Sequence, residues 1–202
     1  MAILEHEIRS AANSAVTPLR RHFPSRDEYY RMVSARVFGD MRLELIEGEI
    51  VEMAPIGPEH AYINYPLARL LENAFGADFA LRIDVPISLG MDDRPSEPQP
   101  DIAVVKGAPQ DYRTRHPRAS EIALVVEISD STLTEDRTVK AALYSSAGIP
   151  EYWILNLVDH WIEVLRTPGE SGYSSLSKYE IGDVIEPLSA PGRFIAVASV
   201  FL

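Results

Sequence analysis

The sequence predicts a mixed α/β architecture in layers, a β-sheet flanked by helices, and three observations carry that expectation. Apolar-periodic segments follow one another in the order helix, strands, helix, strand pair. The stretch "EIALVVEISDST" (121–132) holds a five-residue apolar run, Ile122 to Val126, of the kind that forms strands covered on both faces. Directly behind it, "TEDRTVKAALYSSAG" carries helix start and stop signals at its two ends. With 202 residues, 46% of them hydrophobic, the chain can build one sizeable core and is short for two. The expected organisation is an N-terminal arm or short helix over residues 1–24 and one domain over residues 25–202.

Taken in order, residues 1–24 show no firm periodicity, and "SRDEYYRM" predicts one or two helical turns with Ser25 as N-cap. "RLELIEGEIVEMAP" predicts a hairpin, with Glu47-Gly48 turning between Leu43–Ile46 and Glu49–Met53. In "GPEHAYINYPLARLLENAFG", Pro58 suits the first helical position, and Ile63, Leu67, Leu70, Leu71 and Phe75 form an apolar stripe. Pro66 inside that stripe predicts a kink or break. Residues 79–89 alternate, with Leu81, Ile83, Val85, Ile87 and Leu89 against Arg82, Asp84 and Ser88, as a half-exposed strand does. A Pro-rich polar loop, "MDDRPSEPQP", then leads to the strand "DIAVV". After the strand of 122–126 comes the helix, with Thr134 as N-cap, acids in its first turn and Gly148 at its stop. "EYWILNLVDHWIEVLR" predicts two strands joined by a turn near Asp159, and the tail predicts further short strands.

Composition narrows the function. The formal charge of −11 argues against a general polyanion binder. The charge is uneven, however: residues 106–118 carry Lys106, Arg113, Arg115 and Arg118 against Asp111 alone, while residues 119–202 hold twelve acids and five bases. Any nucleic-acid contact is expected at Arg113, Arg115 and Arg118, and the simpler alternative is a solvated loop. The absence of cysteine excludes disulfides and thiolate metal sites and makes a reducing cytoplasm the expected setting. The start "MAILEHEIRS" lacks a signal-peptide pattern, and no apolar run approaches the ~18 residues of a membrane span. No G-x-S-x-G, P-loop or H-E-x-x-H occurs, and the five histidines show no ligand spacing.

What remains is carboxylates at strand positions. Asp101 opens the strand "DIAVV" and Glu127 closes the strand "ALVVE". Burying an ionised Glu127 costs several kcal/mol unless something pairs with it. On neighbouring strands about 4.8 Å apart, the two carboxylates can converge on one cation, and hard oxygen ligands in small number suit Mg²⁺ or Mn²⁺. The alternative is that Asp101 merely starts a strand after Pro100, while Glu127 meets an arginine or solvent.

The segments "RLELIEGEIVEMAPIGPEH", "PQPDIAVV", "LVVEISDST" and "EDRTVKAALYSSAGIPEYWILNL" together resemble the Uma-two-type restriction endonucleases of the PD-(D/E)XK nuclease superfamily, over roughly residues 25–202. That resemblance implies a restriction-endonuclease-like core with an N-terminal hairpin and extra C-terminal strands. It also implies a metal-dependent hydrolysis of DNA phosphodiesters, with a homodimer as the expected assembly. Asp101 and Glu127 become the Mg²⁺-binding (or Mn²⁺-binding) catalytic acids, and His60, Glu44 and Glu49 match further recurring positions. His60 shares a helical face with Ile63 and Leu67, so a hydrogen-bonded core histidine is an equal alternative; Glu44 and Glu49 read more simply as hairpin surface charges. The superfamily's lysine belongs two residues after the glutamate, where this chain has Ser129. Lys140, with Asp136 four residues before it on the helix that follows, is the replacement expected from the family's aspartate-to-lysine spacing. Otherwise the two form a surface pair worth only ~0.3 kcal/mol. The rival expectation is a catalytically silent module that binds DNA or protein without turnover.

Overall fold

The computed structural model describes residues 21–201, so most of the arm expected over residues 1–24 lies outside the described residues. Helix α1 (Arg26–Ser34) starts at Ser25, whose hydroxyl accepts from the Glu28 backbone while Glu28 reaches back to the Ser25 N–H, a capping box. The hairpin β1 (Leu43–Ile46) and β2 (Glu49–Glu52) forms in the expected register, Ile46 opposite Glu49. Glu47 (φ 49°) and Gly48 (φ 79°) both sit in the left-handed region, as the tightest hairpin turn requires.

Of the kink or break expected at Pro66, the break does not occur, because helix α2 (Pro58–Phe75) runs through the proline. Pro66 lies on a half-exposed flank between the solvent-facing Tyr62 and Tyr65, so its ring does not have to fit a packed face. A second correction concerns residues 79–89. Strand β3 (Phe79–Ile83) ends where Asp84 takes φ 51°, and the chain then turns inward to bury Ile87 and Leu89 while Ile83 stays exposed. The Pro-rich loop is itself a hairpin, β4 (Leu89–Met91) with β5 (Arg94–Ser96). Only glycine serves at position 90, since an added Cβ would lie 2.6 Å from the Arg94 carbonyl oxygen.

Strands β6 (Ile102–Lys106) and β7 (Ile122–Ser129) are antiparallel neighbours. Behind β7 a helix, α3, spans residues 133–146 and contains a π-turn at Asp136–Lys140. It begins one residue before Thr134, and Thr132 occupies the N-cap position instead. Strands β8 (Glu151–Asn156), β9 (Trp161–Arg166) and β10 (Ser175–Tyr179) follow, then β11 (Val184–Ile185), β12 (Ile195–Ala196) and a short α4 (Ala198–Phe201). The main sheet is mixed and six-stranded, in the order β10-β9-β8-β7-β6-β3. Its one parallel pair is β7–β8, and α3 is the crossover that a parallel pair needs.

Strand β7 is buried along its whole length because the sheet is covered on both faces. Leu124, Val126 and Ile128 join Leu67 and Leu71 of α2 in one core. Val125 joins Leu143, Tyr144 and Tyr152 in the other, on the α3 side. Alternation along the strand therefore turns Glu127 and Ser129 toward α3. Among the described residues no helix is long and apolar enough to cross a membrane.

Pro66 generates a stability test. Proline inside a helix forfeits a backbone hydrogen bond at a cost of ~3 kcal/mol, and restricting the unfolded chain returns less than ~1 kcal/mol. Pro66→Ala is expected to stabilise the fold by about 2 kcal/mol in urea titration, and equal or lower stability would mean that the helix relies on the proline.

Candidate active site

The β6–β7 register, Ile102 opposite Val126, sets Asp101 beside Glu127. The Asp101 N–H points at Glu127 Oε2 over 3.4 Å. Asp101 Oδ2 accepts from the Ile128 N–H at 2.6 Å, and its Oδ1 lies 2.8 Å from His60 Nε2 near the start of α2. Glu127 Oε1 accepts from the Tyr144 hydroxyl at 2.6 Å and lies 3.5 Å from Lys140 Nζ. Lys140 also donates to Glu44 Oε2 at 2.8 Å. Glu127 therefore faces an ammonium and a phenol, not an arginine or open water.

The cluster is nearly dry: Glu44 is 3% exposed and Lys140 and Glu127 are each 6% exposed. Burial pushes Glu127 well above the ordinary carboxylate range, and the Lys140 charge works against that rise. For Lys140, burial opposes the charge, but Glu127 and Glu44 outweigh it and hold the ammonium protonated. Burial also disfavours a charged His60, yet the hydrogen bond and charge of Asp101 raise its pKa above the usual value. Burial and the adjacent Glu127 push the Tyr144 phenol up, so it remains a neutral donor.

Asp101, Glu127, Lys140, Glu44 and His60 thus come together, and for Glu44 the surface reading is overturned. The surface pairing of Asp136 with Lys140 fails too, because both are buried. The Asp136 carboxylate is held instead by Ser129 Oγ at 2.5 Å and Thr132 Oγ1 at 2.7 Å. Ser129 is therefore a support for Asp136, not a stand-in for the lysine. Glu49 is exposed at the turn end of its hairpin, opposite Ile46 and away from the cluster. The loop of Arg113, Arg115 and Arg118 leaves β6 after Lys106, at the strand end opposite Asp101. Arg115 is engaged there by both carboxylate oxygens of Glu121, at 2.7 Å each.

Sequence reasoning missed Tyr144, Arg42, Asp84 and Asn64. Tyr144 had a signal, since it follows Lys140 by four residues on a helix facing β7. The others are brought in by tertiary folding. A cavity of about 90 Å³ opens onto the cluster, and seven carboxylates line it against two permanent cations, Arg42 and Lys140. Such a cavity attracts cations. Asp101 and Glu127 present hard oxygens whose lone pairs are not exhausted by the bonds above, which suits Mg²⁺ or Mn²⁺. No cage of three or more acidic or histidine side chains forms among the described residues, as fits an ion that keeps several of its waters. Asp84 Oδ1 and Asn64 Oδ1 are buried without a hydrogen-bond partner. Burial and then the Asp101 charge push Asp84 up, so this flank is short of positive charge.

The fold defines the class, a mixed α/β fold of the nuclease type. The crystal structure of a protein described as a putative nuclease belonging to DUF820, from Anabaena variabilis ATCC 29413, is similar to this chain with a TM-score of 0.68. The likeness covers 88% of this chain and 97% of that one at 15% sequence identity. No curated protein matches the chain. Residues 26–198 match the Uma2 family, described as "Putative restriction endonuclease", and the chain belongs to that family.

The buried lysine sets up a second test. Lys140→Met leaves Glu44 and Glu127 without their cation, a change expected to cost about 3–5 kcal/mol at neutral pH. In the variant the folded-state Glu127 binds its proton more tightly than the unfolded one. Glu127 is already raised in the wild type, where the Lys140 charge restrains the rise, so the deficit from Glu127 grows only as pH passes the wild-type folded-state pKa. Urea titrations from pH 5 to pH 10 should show the loss growing toward the alkaline end, and a pH-independent deficit across that range would refute the charge account.

Proposed function

We propose that this protein is a Mg²⁺- or Mn²⁺-dependent endodeoxyribonuclease. The observation that carries the reading is the pair of carboxylates, Asp101 just before β6 and Glu127 within β7, set side by side by the strand register with Lys140 buried against them. The reaction adds water to phosphorus and breaks one P–O ester bond. One proton of the water ends on the leaving alcohol, and the other leaves with the phosphate product or to solvent. Asp101 and Glu127 would hold the metal, which when bound supplies charge neutralisation at the phosphate and a more acidic water. Asp101 is oriented for this by the Ile128 N–H and His60, so its carboxylate does not have to reorganise. Lys140 supplies a permanent positive charge beside the reacting phosphate, and Glu44 fixes its direction. Tyr144 holds one Glu127 oxygen, which keeps the other turned toward Asp101. Cutting both strands of a duplex needs two such sites, which a homodimer would supply; the cytoplasm, where DNA is reached directly, is the setting that this reading implies.

The test uses plasmid and single-stranded DNA with Mg²⁺ or Mn²⁺. Asp101→Asn is expected to lower cleavage on the order of 10²-fold or more. Millimolar Mn²⁺ should raise the melting temperature by ~2–4 °C for each kcal/mol of binding, and Glu127→Gln should remove the rise. Cleavage unchanged in Asp101→Asn, or an unchanged Mn²⁺ shift in Glu127→Gln, would sink this reading and leave the silent binding module.

The basic loop is the proposed second DNA contact. It folds back along the edge of β3, where the Ser88 N–H donates to the Pro117 carbonyl and His116 lies beside Arg82. Because Arg115 is already engaged by Glu121, neutralising Arg113, Arg115 and Arg118 together should lower the salt slope of DNA binding by about two contacts, not three. An unchanged slope would put the DNA on another surface.

A further inference from the structure

Arg42 stands at the mouth of the cavity, two residues before Glu44. Its carbonyl accepts from the Met53 N–H at 2.9 Å, one rung beyond the Leu43–Glu52 pair, so the hairpin ladder continues through it. Residues two apart on extended chain share a face. Glu44 and Arg42 therefore address the same cavity, Glu44 from its buried floor and Arg42 from its exposed rim.

The two other bases at the cavity are engaged. Lys140 lies between Glu44 and Glu127, and His60 is on Asp101. Arg42 makes no ion pair among the described residues, although Glu52 lines the same cavity. Arg42 lines the same cavity as Asp101 and His60. A phosphodiester strand approaching seven carboxylates meets repulsion at every step except at this one free cation. A guanidinium also presents a planar fork that matches two phosphate oxygens, which an ammonium cannot do.

We infer that Arg42 is a phosphate clamp, holding by its fork the non-bridging oxygens of a backbone phosphate of the strand that enters the cavity. The inference rests on the nuclease reading and assigns the substrate contact that Asp101, Glu127 and Lys140 leave open. The clamp acts on bound substrate and transition state alike, so its loss appears in KM and not in kcat.

The experiment compares wild type, Arg42→Ala and Arg42→Lys on one oligonucleotide duplex with Mn²⁺. For Arg42→Ala, KM should rise about 10- to 100-fold, the range for a hydrogen bond to a charged group, with kcat nearly unchanged. The salt slope of kcat/KM should fall by about one contact, and the Mn²⁺-induced rise in melting temperature should persist. Arg42→Lys should restore the salt slope but only part of the KM, because charge returns without the fork. Wild-type KM and salt slope in Arg42→Ala would overturn the clamp, as would loss of the Mn²⁺ shift, which would make Arg42 structural. If wild type does not cleave, the nuclease reading fails on its own evidence, and anisotropy with the same duplex decides for Arg42. Weaker binding in Arg42→Ala keeps the clamp, and equal binding or none in wild type removes it.

Discussion

A single ammonium, that of Lys140, lies between the carboxylates of Glu44 and Glu127, and three separate pieces of the chain are assembled around it. Glu44 comes from the β1–β2 hairpin, Glu127 from the central strand β7, and Lys140 from the crossover helix α3. None of the three can be withdrawn cheaply, because each removal leaves an unpaired charge in a nearly dry interior. Such a cluster is weak evidence of net stability. It is stronger evidence of specification, since only one docking of hairpin and helix on the sheet satisfies all three groups.

The backbone arrangement follows from that demand. A parallel β7–β8 pair requires a crossover, and the crossover must present Lys140 and Tyr144 to the same carboxylate. The π-turn at Asp136–Lys140 adds a residue to one turn just where Asp136 must reach Ser129 and Thr132 while Lys140 reaches Glu44. A local helical irregularity at a site of this kind is a common way of aiming side chains that regular geometry would misdirect.

How much of this could be read from sequence depends on how local the cause is. The β1–β2 hairpin was legible to within one residue, β2 ending at Glu52 instead of Met53, because Glu47-Gly48 dictates its own turn. Strands β6 to β9 were legible because their apolar runs are long and bounded. Residues 79–89 misled because a strand's alternation continued past Asp84, where the backbone turns and Ile87 and Leu89 are buried by new neighbours. At Pro66 the helix continues where a break was one of two expected outcomes, because the packing of Ile63, Leu67 and Leu71 on the sheet holds both sides of the proline. In the site, Asp101 beside Glu127 could be anticipated from neighbouring strands, although Glu127 does not close its strand, which runs on to Ser129. The Glu44–Lys140 bond could not, since it joins residues 96 positions apart and nothing local marks Glu44 as interior.

Acidity and function are compatible once the charges are sorted by position. A chain of charge −11 repels DNA as a whole, yet binding is decided where the strand touches. At the cavity the carboxylates outnumber the permanent cations by seven to two, so an anionic substrate can enter only with added positive charge. Lys140 cannot provide all of it, being already shared between two buried carboxylates. The orphaned oxygens of Asp84 and Asn64 deepen the same deficit on the Asp101 side. On the proposed reading, excess carboxylate in a small cavity is what would couple a metal to the substrate. On that reading, a divalent ion would relieve the repulsion between Asp101 and Glu127, and the charge it supplies would in turn favour the phosphate. Each is expected to bind more tightly in the presence of the other, and by linkage the gain is the same in both directions.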